Sequence, residues 1–115
     1  MHSLGNVMNT FKEYIAEAEG SFSKTRKFKW SIDKKNPNTV KLKRERRTEY
    51  SLYKIVGRPA QYPYMVVVTH GVANACKTYE NAMDYVARML TQTYFESKIE
   101  VEPMKKDVRD WLEKE

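Results

Sequence analysis

Four kinds of side chain in this 115-residue sequence could do chemistry: one cysteine, two histidines, fifteen carboxylates and twenty-one cations. A nucleophile needs a base beside it to take its proton. With His2 set aside in the N-terminal segment, the available pair is Cys76 and His70. Cys76 stands just before a helix cap, where a thiolate gains some stabilisation. The commoner fate of such residues is a small buried thiol and a histidine in a turn. A single cysteine forms no internal disulfide, and no His pair or cysteine cluster has zinc-ligand spacing. Asp33, Glu45 and Glu49 are carboxylates, but no spacing singles out two of them as an acid–base or metal pair. No glycine-rich phosphate loop occurs. The expectation is a protein that binds and is not an enzyme, with no cofactor and no metal.

The cations are more informative, because they are unevenly placed. Lys24 to Arg47 holds eleven Lys or Arg against two acids, Asp33 and Glu45, within a chain of net charge +6. Glu96 to Glu115 holds seven acids and five bases. A one-sided basic field favours an anionic partner, nucleic acid or an acidic protein surface, although charge serves solubility as well. Phe28, Trp30 and Ile32 alternate with Lys27, Lys29 and Ser31, so apolar and cationic residues fall on opposite sides of a strand. Lys41, Lys43 and Arg47 are expected to share the side opposite Val40 and Leu42. With Arg44 and Arg46 they make a seven-residue candidate surface: Lys27, Lys29, Lys41, Lys43, Arg44, Arg46 and Arg47. Such rows contact phosphates without reading bases. The aromatics alternate onto the core side, away from where single-strand stacking would need them.

The elements that position these residues follow from periodicity. At 41% apolar the chain supports one modest core and one domain. Met8 to Ala18 reads as a short amphipathic helix, with Phe11, Tyr14, Ile15 and Ala18 on one side. Asn36-Pro37-Asn38 is a turn between two alternating strands. Pairing resumes from Tyr50 to Val56, and Gly57 to Pro63 is a loop. Tyr64 to Val68 is continuously apolar, which predicts a central strand covered on both faces. Asn74 to Lys77 is a candidate short extra strand. Thr78 is a candidate N-cap for a helix carrying Ala82, Val86, Met89 and Leu90 at helical spacing. Pro103 suits the first turn of a final helix with Met104, Val108, Trp111 and Leu112 on one side. The expected fold is α+β: a small antiparallel sheet of three to four strands packed with two C-terminal helices, preceded by a short N-terminal leader helix. No run reaches the roughly 18 apolar residues a membrane helix needs, so no membrane partner is expected.

Two resemblances follow from these residues. The helix–strand–strand–strand–helix order is similar to that of a double-stranded-RNA-binding domain. That family carries a lysine cluster where this chain has Lys77, Thr78, Tyr79 and Glu80, so the likeness is one of topology. The second is local. Met8-Asn9-Thr10-Phe11-Lys12-Glu13-Tyr14-Ile15-Ala16-Glu17-Ala18 resembles the start of the internal head proteins of T-even-type bacteriophages. In that family the leader sends the protein into the prohead core, and the prohead protease cuts after the glutamate of an Ile/Leu-x-Glu motif.

Carried over, the resemblance makes Ile15 and Glu17 the protease-recognition residues and Ala18 the new N-terminus. Ile15-Ala16-Glu17 is the one such motif in the chain. The division implied is a cleavable leader, 1–17, and a mature basic α+β domain, 18–115. Twenty bases against thirteen acids, +7, remain after cleavage. Asn9 stands where that family usually has lysine, and seven residues precede Met8. What the resemblance implies is residence in the virion head, injection with the DNA and action in the host cytoplasm. The implied partners are the prohead protease, a host defence or regulatory protein (a restriction nuclease, for example) and the phage DNA. The alternative is a non-sequence-specific nucleic-acid-binding protein.

Overall fold

The alternation that starts at Lys24 runs for nine residues, and the strand it makes, β1 (Lys24–Ile32), lies one place from the edge of a six-stranded sheet. The computed structural model describes residues 24–115. After β1 come β2 (Thr39–Arg44), β3 (Arg47–Lys54), β4 (Tyr64–Val68) and β5 (Gly71–Cys76). Helix α1 (Tyr79–Thr93), strand β6 (Ser97–Val101) and helix α2 (Lys106–Glu113) complete the chain. Across the sheet the order is β5-β4-β3-β2-β1-β6. Neighbours are antiparallel except β1 and β6, which run parallel from Lys24 opposite Ser97 to Phe28 opposite Val101.

This corrects the expected sheet of three to four antiparallel strands. The described fold is α+β, but a six-stranded curled half-barrel dominates it. The two helices are not consecutive, since β6 runs between them and adds a parallel edge. Ser97 and Ile99 are buried while Lys98 and Glu100 are half-exposed, so β6 carries a period-two pattern only five residues long. Its partner lies some seventy residues upstream, and that pairing is decided by tertiary contact. At the other edge, β5 is built mostly of small and polar residues, Gly71-Val72-Ala73-Asn74-Ala75-Cys76, which carry little strand propensity. The predicted leader helix, Met8 to Ala18, lies outside the described residues.

One face of the sheet makes the core. Phe28, Trp30, Val40, Leu42, Leu52, Val66 and Ile99 are all at most 3% exposed. They meet Ala82, Val86 and Leu90 of α1 and Val108 and Leu112 of α2 in a single cluster. Helix α2 packs over β1, β2 and β3, and α1 touches β4, β5 and β6, strands belonging to both edges. Among the described residues, strand β4 is therefore covered by helix on one face and not on both as expected. Val66 is buried under the helices, whereas Met65 and Val67 face the other way and are half-buried.

The local signals at the helix ends are mostly met. The Thr78 hydroxyl accepts a hydrogen bond from the Asn81 amide at 3.0 Å, the N-cap that its position predicted. Helix α2 begins later than expected, at Lys106, and Pro103 lies in the extended link before it. Its C-terminal end is tied to the β1–β2 turn. Asn38, at φ 57°, donates from Nδ2 to the carbonyls of Leu112, at 3.0 Å, and Lys114. These are carbonyls a helix leaves without intrahelical partners. Trp111 Nε1 donates to the Asn36 carbonyl at 3.3 Å.

A half-buried carboxylate fastens the same helix to the sheet. Glu113 accepts from Lys54 Nζ at 2.6 Å, from the Tyr64 hydroxyl at 2.8 and 3.0 Å, and from Arg109 Nε at 3.1 Å. Burial alone would raise its pKa, but hydrogen bonds from Lys54, Tyr64 and Arg109 outweigh that and hold it below the ordinary carboxylate value. The hydrogen bond to Glu113, against some desolvation, raises Lys54.

Candidate functional site

With α1 and α2 on one face, the alternate residues of every strand point to a second face that neither helix covers. Register places them beside one another. Lys29 is opposite Lys43, Ser31 opposite Lys41, and Lys27 opposite Glu100. Thr39 is opposite Tyr53, Tyr53 opposite Met65, and Met65 opposite Ala75. Ser51 faces Val67, which in turn faces Val72. The open face is thus divided along the sheet. Its β6–β1–β2 side carries Lys98, Lys27, Lys29, Lys41 and Lys43, and its β3–β4–β5 side carries Tyr53, Met65, Val67, Ala75 and Val72.

The charge on this face is only partly neutralised. Lys41 Nζ lies 3.8 Å from Asp33, whose carboxylate is engaged in the β1–β2 turn by Asn36 Nδ2 at 2.9 Å and the Lys35 amide at 3.1 Å. The Asn36 hydrogen bond, against burial and helped by Lys35 and Lys41, keeps Asp33 below its ordinary pKa. Lys98 lies 3.7 Å from Glu100. Among the described residues, Lys27, Lys29 and Lys43 make no ion pair. On the apolar side Val72, in the edge strand, is 52% exposed.

Of the seven cations proposed from sequence, four share this face: Lys27, Lys29, Lys41 and Lys43. The other three do not. A register shift between Leu42 and Lys43 puts one extra residue, Glu49, into β3 and reverses the alternation beyond it. Arg47 therefore stands opposite Arg44, not in line with Lys41 and Lys43. Arg46 is exposed in the tight turn beside Glu45, whose φ is 60°.

Arg44 turns toward the helices. Its Nε lies 3.5 Å from Glu49 and its guanidinium 5.6 Å from the centre of the Tyr94 ring. The Tyr94 hydroxyl donates to Glu49 at 2.9 Å, and Arg26 reaches the same ring at 4.6 Å while donating to Ser97 Oγ. This arginine–tyrosine cluster helps to close the end of the core.

The remaining candidates are separated or undescribed. His70 is exposed in the β4–β5 turn, and Cys76 is at the far end of β5, opposite Tyr64. The hairpin holds the two apart. Burial pushes the Cys76 thiol up, with Arg88 opposing, the opposite of an activated nucleophile. No group of three or more His, Cys, Asp or Glu among the described residues is arranged to hold a metal. No described helix is long and apolar enough to cross a membrane. Ile15, Glu17 and Ala18, the cleavage residues, lie outside the described residues.

Sequence reasoning missed the apolar half of the open face. Tyr53, Met65 and Val67 each lie one position from a core residue, and only the pairing register separates the two sets. In comparisons with family models, curated proteins and solved structures, nothing matches this chain.

Proposed function

We propose that this protein is a bacteriophage head-packaged internal protein, freed of residues 1–17 by the prohead protease, injected with the DNA, and acting by binding a host defence or regulatory protein. The binding surface is the open face of the sheet. One observation carries the choice of a protein partner: among the described residues, lysines without an ion pair and half-buried apolar side chains lie side by side on one face that neither helix covers. A protein interface combines an apolar centre with a polar, charged rim. A phosphate backbone offers nothing to Met65, Val67 and Val72. The partner that fits presents an apolar patch flanked by Asp and Glu, such as the acidic ground beside a DNA-binding cleft. The leader resemblance at Met8 to Ala18 supports the packaging route.

The intact mass of the full chain after incubation with a T-even-type prohead protease tests that route. Loss of residues 1–17 from the wild type, with the Glu17→Ala variant uncut, is the expected result. An uncut wild type would remove the phage-head part of the proposal.

The rows formed by Lys27, Lys29, Lys41 and Lys43 favour a second reading, non-sequence-specific nucleic-acid binding. Salt separates the two. Phosphate contacts release counterions, so DNA affinity falls steeply and log-linearly with salt, whereas a packed protein interface loses far less.

A further inference from the structure

The helix side of the sheet holds a pocket of about 390 Å³ where the first turns of α1 meet the end of β6 and the Pro103–Met104 link. Its floor is apolar: Trp30, Met83, Val101 and Met104. Its rim is acidic, with Glu80, Asp84 and Glu102, and no lysine or arginine among the described residues lines it. Asp84 is paired with Arg88 at 3.3 Å, but Glu80 and Glu102 have no ion pair among the described residues. In a chain of net charge +6, two unpaired carboxylates over one apolar hollow are a local reversal of sign.

The pocket is framed by fixed elements. The Glu102 amide donates to the Phe28 carbonyl at 2.9 Å, which holds the rim residue against β1. Thr78 caps α1 two residues before Glu80. Trp30 is 3% exposed and Val101 and Met104 pack on the core, so the floor belongs to the folded interior. Two methionines in the lining give it an adaptable surface. The volume lies within the range of small-molecule sites, which are largely apolar with a few placed polar groups.

From this geometry we infer that the pocket binds a small amphiphilic organic cation, an apolar group of about phenylethyl size carrying one ammonium. The apolar body fills the hollow over Trp30, Met83 and Met104, and the ammonium sits at the rim between Glu80 and Glu102. Anions are excluded by the same carboxylates, and a neutral analogue gains the apolar contacts alone. The site is independent of the open face, which lies on the other side of the sheet.

The test is methyl NMR of the full chain labelled at its methionine methyl groups, titrated with phenethylammonium, phenethyl alcohol and phenylacetate. Met83 and Met104 report on the pocket, and Met65, on the open face, is the internal control. The expected result is saturable shifts at Met83 and Met104 with Met65 unmoved. The ammonium should bind about five-fold more tightly than the alcohol, the effect of an exposed charge pair worth up to ~1 kcal/mol, and phenylacetate should not bind. The Glu80→Gln/Glu102→Gln double variant, altered at two exposed positions, should keep the fold and bind ammonium and alcohol alike. No saturable shift, equal binding of ammonium and alcohol by the wild type, or an undiminished preference in the double variant would overturn the inference.

Discussion

At the scale of single residues, the arrangement of charges around Glu113 is structural. Glu113 receives Lys54, Tyr64 and Arg109 in a partly buried site and so couples α2 to β3 and β4. Because its folded pKa is lowered from 4.5, its contribution is fully present above about pH 4.5 and is lost as the pH falls through the folded value. Lys54 has the opposite sign. Its pKa is raised from 10.5, so its contribution holds below about pH 10.5 and is lost as the pH rises through the folded value. The Glu113→Gln variant should therefore lose about 1.5–3 kcal/mol at neutral pH, the range for hydrogen bonds to charged groups. It should also show a shallower loss of stability between pH 5 and the acid limit. Urea denaturation across that range checks both, and an unchanged acid limb would show that the latch is not where the pH dependence resides. Arg44 carries a different lesson. Its type placed it in the basic surface, but it continues the Val40–Leu42 alternation of its own strand onto the helix side, where it meets Glu49 and Tyr94.

At the scale of elements, what was legible in the sequence is what local chemistry decides. The Asn36-Pro37-Asn38 turn, the alternation of β1 and β2, the Thr78 cap and the apolar stripe of α1 were all readable, because each depends on neighbours within a few residues. The parallel edge was not. Strand β6 has charged residues at every second place between two helices, and its partner is β1 at the other end of the described chain. The prediction that belongs here concerns Ile99, 2% exposed at the centre of β6. Ile99→Ala should cost about 2–5 kcal/mol, the range for truncating a buried isoleucine. The equivalent change at Lys98, on the open face, should stay within roughly 0.5 kcal/mol. A cost at Ile99 no larger than at Lys98 would mean that β6 does not close the core. The Leu42/Lys43 register shift was equally hidden, since one inserted residue moves every side chain beyond it to the other face.

For the whole molecule, the sheet separates two chemistries. Its helix face holds the core and an acid-rimmed pocket, and its open face holds lysines beside apolar side chains. Four of the seven cations proposed from sequence share the open face, because they fall on its side of the readable alternation of β1 and β2. The apolar half needed the pairing of β3, β4 and β5 to bring it alongside. Replacing Lys29 and Lys43 by glutamate should leave the fold intact, since both point away from the two helices, and should abolish partner binding by like-charge repulsion. If binding survives in that variant, the apolar half alone is the contact surface.

The most direct test of the protein-binding account places a photo-cross-linking amino acid at Val67, in the middle of the open face, and at Gln92, on the exposed side of α1. Irradiation in host extract, after nuclease treatment, should give a discrete protein adduct from position 67 and none from position 92. The Lys29→Glu/Lys43→Glu background should remove it. Adducts to nucleic acid that nuclease eliminates, or a protein adduct from position 92 alone, would contradict the assignment of the open sheet face as a protein-binding surface.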